Sequence, residues 1–127
     1  MTRWVRAWGP ALLWAAAIFA LSSRSTVPGP EIPGLDKAAH FGAYGLLGVL
    51  LARGALAWPL ALPWALALSW AYGAADEVHQ MFVPGRSPDW RDWVADALGA
   101  AAGIYLYRRW HARRRRARGP LAGGAVP

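Results

Sequence analysis

Three short segments of this chain carry nearly all of the side chains that can move a proton, hold an anion or bind a metal. The first holds Asp36, Lys37 and His40; the second holds Asp76, Glu77, His79 and Gln80; the third holds Arg86, Asp89, Arg91, Asp92 and Asp96. On helices, Asp36 and His40 share a face, as do Asp76, His79 and Gln80, while Glu77 lies about 100° round from Asp76. Imidazoles beside carboxylates compose an acid–base site, so His40, His79 and Glu77 are the candidate catalytic groups. Asp36, Lys37, Asp76, Gln80, Arg86, Asp92 and Asp96 are the candidate substrate-binding groups, with Lys37 and Arg86 suited to a phosphate or carboxylate. No H-E-x-x-H or comparable ligand spacing occurs, so no metal and no other cofactor is expected. Cysteine is absent, which removes thiol catalysis, disulfides and cysteine–zinc sites. Ser87 adjoins Arg86 but has no base near it in sequence, so no nucleophile stands out.

The elements that position these groups are apolar. The chain has 127 residues, 56% of them hydrophobic and 17% charged, with nine tryptophans. That is one domain, too apolar for most small soluble ones and not a disordered composition. Charge-free or nearly charge-free blocks run from Gly9 to Leu21, Ala38 to Ala52, Ala55 to Ala75 and Trp93 to Tyr107. The third alone reaches the roughly 20 residues of a membrane span, yet all four are apolar all round, without the polar face of a soluble helix. The expected fold is all-α: an integral membrane bundle of four transmembrane helices. The first block, behind Arg3 and Arg6, also has the form of a signal peptide with a poor cleavage site. Pro59 suits a first helical turn of the third span, whereas Pro63 predicts a kink or a later helix start, and Pro28, Pro30 and Pro33 make the loop between the first and second spans irregular.

Orientation follows from the basic residues. Seven of the fourteen lie from Arg108 onward with no acid among them, so the first 107 residues balance seven bases against seven acids. The basic character therefore belongs to the tail and not to a nucleic-acid-binding face; no nucleic-acid partner is expected. The tail, Arg3, Arg6 and Arg53 fall on one side, which predicts both termini in the cytoplasm, with residues 1–107 forming the transmembrane domain and 108–127 a basic, irregular tail held against anionic lipid. The three polar segments then gather at the outer face. His40 and Asp96 fall within the outer leaflet, where ionisable groups must face the bundle interior or a wet cleft. Asp92, Asp96, Gly99 and Gly103 form one stripe of the last helix, and Gly99-x-x-x-Gly103 permits close helix approach.

The order Asp36-Lys37-x-x-His40-Phe41, then Asp76-Glu77-x-His79-Gln80-x-Phe82-Val83-Pro84-Gly85-Arg86, then Asp92-x-x-x-Asp96-x-x-Gly99 resembles the VanZ-like family of bacterial membrane proteins. Tyr44 fits the same pattern, and the resemblance covers about residues 10–107. The family often has Asn at the position of Asp96; Asn only hydrogen-bonds, whereas Asp can carry charge. The resemblance implies a multi-pass protein of the bacterial inner membrane with a role in the cell envelope. The namesake is linked to resistance to the glycopeptide teicoplanin, a property the resemblance does not carry to this chain. Some relatives bear the label phosphotransbutyrylase, but these motifs are unlike a soluble acyltransferase.

Three functions compete. The favoured one is an envelope protein whose outer polar cluster binds a lipid-linked or peptidoglycan-related anionic group, with the bilayer as its other partner. The second is a membrane enzyme using histidine and carboxylate acid–base chemistry on a lipid-linked substrate. The third, a transporter, is disfavoured because only half the membrane depth is polar. A cleft with both histidines pointing into it would favour chemistry; a closed, fully paired network would reduce the cluster to structural glue.

Overall fold

The computed structural model describes residues 2–26, 32–57 and 62–119. Among them the chain is all-helical, without strands: α1 (Arg3–Ser22), α2 (Leu35–Ala57), α3 (Leu62–Gln80) and α4 (Trp90–Ala117). α1 and α2 are long and apolar enough to cross a membrane by length and composition. α3 and α4 do not meet that measure: α3 carries Asp76, Glu77, His79 and Gln80 in its last turns, and α4 runs on into the arginines.

Several boundaries differ from the sequence expectation. α2 continues past Arg53 to Ala57, whereas α3 runs from Leu62 with Pro63 in its first turn, in line with the later start that Pro63 predicts. Proline is tolerated there because the first-turn N–H groups have no helical partner. Pro28, Pro30 and Pro59 lie outside the described residues. α4 starts at Trp90, capped by the Asp89 carboxylate accepting from Arg91 N at 2.9 Å. It also passes Tyr107 and stays helical to Ala117, so the tail expected to be irregular from 108 is helix through its arginine run. Arginine and alanine are good helix formers, and positive charge in the last turn complements the helix dipole.

The polar segments meet because α2 and α4 run parallel in contact at their backbones. A Cβ built on Gly99 would collide with the Phe41 carbonyl oxygen, one on Gly103 with the Gly45 carbonyl, and one on Gly48 with Ala100. With that register, the start of α2 and the start of α4 share one end of the bundle, and α3 delivers its C-terminal end to the same place. Aromatic donors tie the rest together: Trp14 Nε1 donates to Ala43 O (2.8 Å), Tyr72 Oη to Ala15 O (2.6 Å) and Trp93 Nε1 to Trp70 O (3.1 Å). At the opposite end Arg53 donates to Arg6 O (2.9 Å) and Arg3 to Ala57 O (3.1 Å).

Gly99→Leu should therefore lower thermal stability and membrane accumulation, with a cost of at least the ~1–3 kcal/mol of overpacking. Gly42→Ala is the control: its added Cβ meets nothing within 4 Å, so the protein should remain at wild-type stability or gain up to about 1 kcal/mol. Thermal unfolding of both variants in detergent measures the difference.

Candidate functional site

At the acidic end, Lys37 is the centre of a carboxylate cage. Its Nζ lies 2.8 Å from Asp36 Oδ2, 2.8 Å from Asp89 Oδ2 and 2.6 Å from Asp92 Oδ1. Lys37 donates hydrogen bonds to Asp36 and Asp89 and forms an ion pair with Asp92. It therefore joins the start of α2 to the start of α4, and its charge is engaged by three carboxylates within the cluster. Hydrogen bonds from Lys37 and from Arg91 N hold the Asp89 carboxyl below the usual carboxylate range. Asp89 N in turn donates to Glu77 Oε2 at 2.9 Å, which fixes the end of α3 to the α4 cap.

One turn deeper, His40 Nδ1–H donates to Asp96 Oδ1 at 2.8 Å, the carboxylate having no proton to give. This bond orients the ring and directs Nε2 towards Asp92, whose Oδ2 lies 3.8 Å away. Asp76, Glu77, Asp92, Asp96 and Gln80 are buried. Gln80 Nε2 contacts Asp76 Oδ2 at 3.5 Å, and its Oε1 accepts from Arg86 Nη2 at 3.1 Å. Arg86 makes no ion pair among the described residues. It is placed by a turn in which Arg86 N donates to Val83 O (3.1 Å), with Pro84 and Gly85 at the corner and Gly85 at φ +81°, the arrangement of a type II turn.

The network is not closed. Asp76 Oδ1, Glu77 Oε1, Asp92 Oδ1, Asp96 Oδ2 and the Tyr44 hydroxyl are buried without a hydrogen-bond partner, Asp92 Oδ1 having only its ion pair with Lys37. Buried polar atoms are otherwise nearly always paired, so each orphan needs a cause. His40, Glu77 and Asp96 each offer one donor atom, and these atoms lie within 4.8 Å of one another.

Two clefts open here. A polar one of about 380 Å³ is lined by Asp36, Lys37, His40, Gln80, Arg86 and Asp92, among others. A second, of about 180 Å³, has Ile18, Leu21, Ala39 and Ala43 as apolar walls and reaches His40, Tyr44, Asp76, Gln80 and Arg86. His40, Gln80 and Arg86 line both. A larger cleft of about 520 Å³ at the opposite end is lined by Arg3, Arg6, Arg53, Tyr107 and His111; it has bases and no carboxylate.

Nine of the ten candidate residues meet at the acidic end in this way. His79 does not. Its ring stacks on Phe19 of α1 with centroids 4.5 Å apart, and its Nε2 donates to Ser23 Oγ at 2.9 Å, because the Ser23 hydroxyl proton already goes to Phe19 O at 2.7 Å. The reason is angular. Two residues along a helix turn the direction by about 200°, so a helix that presents Glu77 to α4 must present His79 the other way, to α1. The expectation of two histidines in one site is corrected to one. Sequence reading also passed over Tyr44 as a site residue, although its place in the D-K-x-x-H-F-x-x-Y run put it one turn below His40.

No curated protein and no solved structure gives a match. The sequence profile described as VanZ/LLP1 matches residues 3–111, the span that holds all four helices' apolar parts and every residue of the cluster. This chain belongs to the VanZ/LLP1 family.

Proposed function

We propose that this protein crosses the bacterial cytoplasmic membrane four times, with both termini inside, and binds the anionic headgroup of an envelope amphiphile at its outer end. The family is linked in general to glycopeptide resistance, which acts at the envelope. Support for the membrane reading comes from an inverted distribution of polarity. Tyr44, Gln80, Asp96 and Ser69 are the largest fully buried side chains, whereas Leu13 is 75% and Phe82 78% exposed. In water that distribution exposes apolar surface and buries charge, both unfavourable; in lipid it is the favourable one. The helical arginine run, Arg3, Arg6 and Arg53 share the end opposite the acids, and basic residues mark the cytoplasmic side.

The observation that carries the ligand reading is the position of Arg86. It stands where an apolar cleft joins a polar one, with a neutral partner, Gln80, in place of a carboxylate. A molecule with an acyl or isoprenoid portion and a phosphate fits that junction, the chain along Ile18, Leu21 and Ala43 and the phosphate on the guanidinium. Arginine presents a planar fork that pairs with two phosphate oxygens, which lysine lacks. A second reading, acid–base chemistry on the same ligand, is favoured by the His40–Asp96 pair, whose geometry is that of an oriented general base.

Two measurements check these proposals. The native chain lacks cysteine, so Ser87→Cys and Ala122→Cys each introduce one thiol. In intact cells an impermeant maleimide should label the first and not the second; labelling of the second overturns the topology. For the ligand, full-length protein in neutral detergent should bind dodecyl phosphate better than dodecanol. Arg86→Lys should weaken the phosphate by about tenfold to 100-fold, the worth of a charge-assisted hydrogen-bonded pair, while accumulating normally in the membrane. Equal binding by wild type and Arg86→Lys removes the oxyanion role.

A further inference from the structure

We propose that His40, Glu77 and Asp96 form a divalent cation site, for an ion of the zinc or manganese class. Their donor atoms come from three different helices yet lie within 4.8 Å of one another. Three donors bound at about 2.0–2.2 Å around one ion stand roughly 3.3–3.8 Å apart, so these side chains close by no more than about 1.5 Å, a rotamer adjustment, to take an ion. One imidazole nitrogen with two carboxylate oxygens suits a borderline ion and leaves positions open for water or an incoming oxyanion.

The independent observation is the state of the carboxylates. Glu77 is 9% exposed and Asp96 1%, and each has one oxygen, Glu77 Oε1 and Asp96 Oδ2, with no hydrogen-bond partner. Asp76, 5% exposed, has an orphan oxygen of its own, Oδ1, and neighbours them on α3. The two cations at this end do not answer that charge: Lys37 is committed to Asp36, Asp89 and Asp92, and Arg86 meets Gln80. A structural network would pair these oxygens with donors. Carboxylates that keep an oxygen bare and also bring a donor atom to within 4.8 Å of an imidazole nitrogen are suited to ligate a cation. The remaining Glu77 oxygen is held by Asp89 N, the kind of outer contact that aims a metal ligand. For the ion to enter, His40 would take the tautomer with its one proton on Nε2, which faces Asp92 Oδ2 at 3.8 Å, so that the neutral ring offers Nδ1 and Asp96 its carboxylate as ligands. Gly73 supports the arrangement: a Cβ there would stand 3.3 Å from Asp96 Oδ2 and 3.3 Å from Tyr44 Cε1, crowding the acid.

The test is made on full-length protein purified in neutral detergent without chelator, in the absence of any phosphate amphiphile, so its failure is separate from failure of the headgroup reading. Elemental analysis should find about one zinc or manganese ion per chain. Stripping with EDTA should lower the thermal midpoint, and Zn²⁺ or Mn²⁺ added back should restore it. Glu77→Gln and Asp96→Asn should each weaken the ion by at least about tenfold, whereas His111→Ala, at the opposite end, should leave metal content unchanged. Where a variant fails to accumulate, the wild-type metal content and its response to EDTA decide. Wild-type protein free of metal and unmoved by Zn²⁺ and Mn²⁺ overturns the site, as does metal retained equally by Glu77→Gln and Asp96→Asn.

Discussion

Backbone contact between α2 and α4 is the constraint from which the rest of this molecule follows. Gly99 and Gly103 sit against the carbonyls of Phe41 and Gly45, and Gly48 against Ala100. Any side chain at these positions would hold the helices apart. Because the helices are parallel, the contact also sets a register, and the register places Lys37 beside Asp92 and His40 beside Asp96. Inside a membrane there is no hydrophobic force to draw helices together, so association rests on close packing and on interhelical hydrogen bonds. Here both are present in the same pair of helices: small residues supply the approach, and the ionisable groups at its acidic end supply the polar bonds.

The acidic end has two layers with different economies. In the outer layer the aspartates share a cation: Lys37 pairs with Asp36, Asp89 and Asp92, and Asp89 serves at once as helix cap, ion-pair partner and, through its N–H, donor to Glu77. The inner layer has no such lysine or arginine among its ion pairs. Buried carboxyls on α3 and α4 face His40 and Tyr44 with oxygens left over. Breaking one partner of a buried pair costs several kcal/mol because the other charge is stranded, so a protein that leaves oxygens bare by its own fold is organised around something additional. The outer layer builds the walls, and the inner layer is where a ligand or ion gains most.

Much of this was legible in the residues. The clustering of acids and histidine at one end followed from block lengths alone, the stripe from Asp92 to Gly103 from helical phase, and the turn at Arg86 from Pro84-Gly85. What escaped had physical reasons. The rotation of α3 about its axis is set by packing against α1 and α4, and the segment Asp76–Gln80 does not announce which neighbour takes which face; the 200° between Glu77 and His79 excluded one of them from the site in any case. The convergence of His40, Glu77 and Asp96 could not be read from spacing rules, because these residues are separated by long stretches of chain and meet only through the fold. The end of α2 beyond Arg53 and the helical arginine run were missed because charge was read as a boundary, while local helix propensity continued through it.

The site depends most on the register that sets His40 against Asp96, and a double-mutant cycle on that pair tests it directly. His40→Asn, Asp96→Asn and the double variant would be compared with the wild type by reversible unfolding in mixed micelles. Groups in direct contact show coupling of roughly 0.5–3 kcal/mol, while separated sites add within about 0.5 kcal/mol. The 2.8 Å bond between His40 Nδ1 and Asp96 Oδ1 predicts a coupling above about 1 kcal/mol; additive single-variant effects would contradict the register and the site built on it.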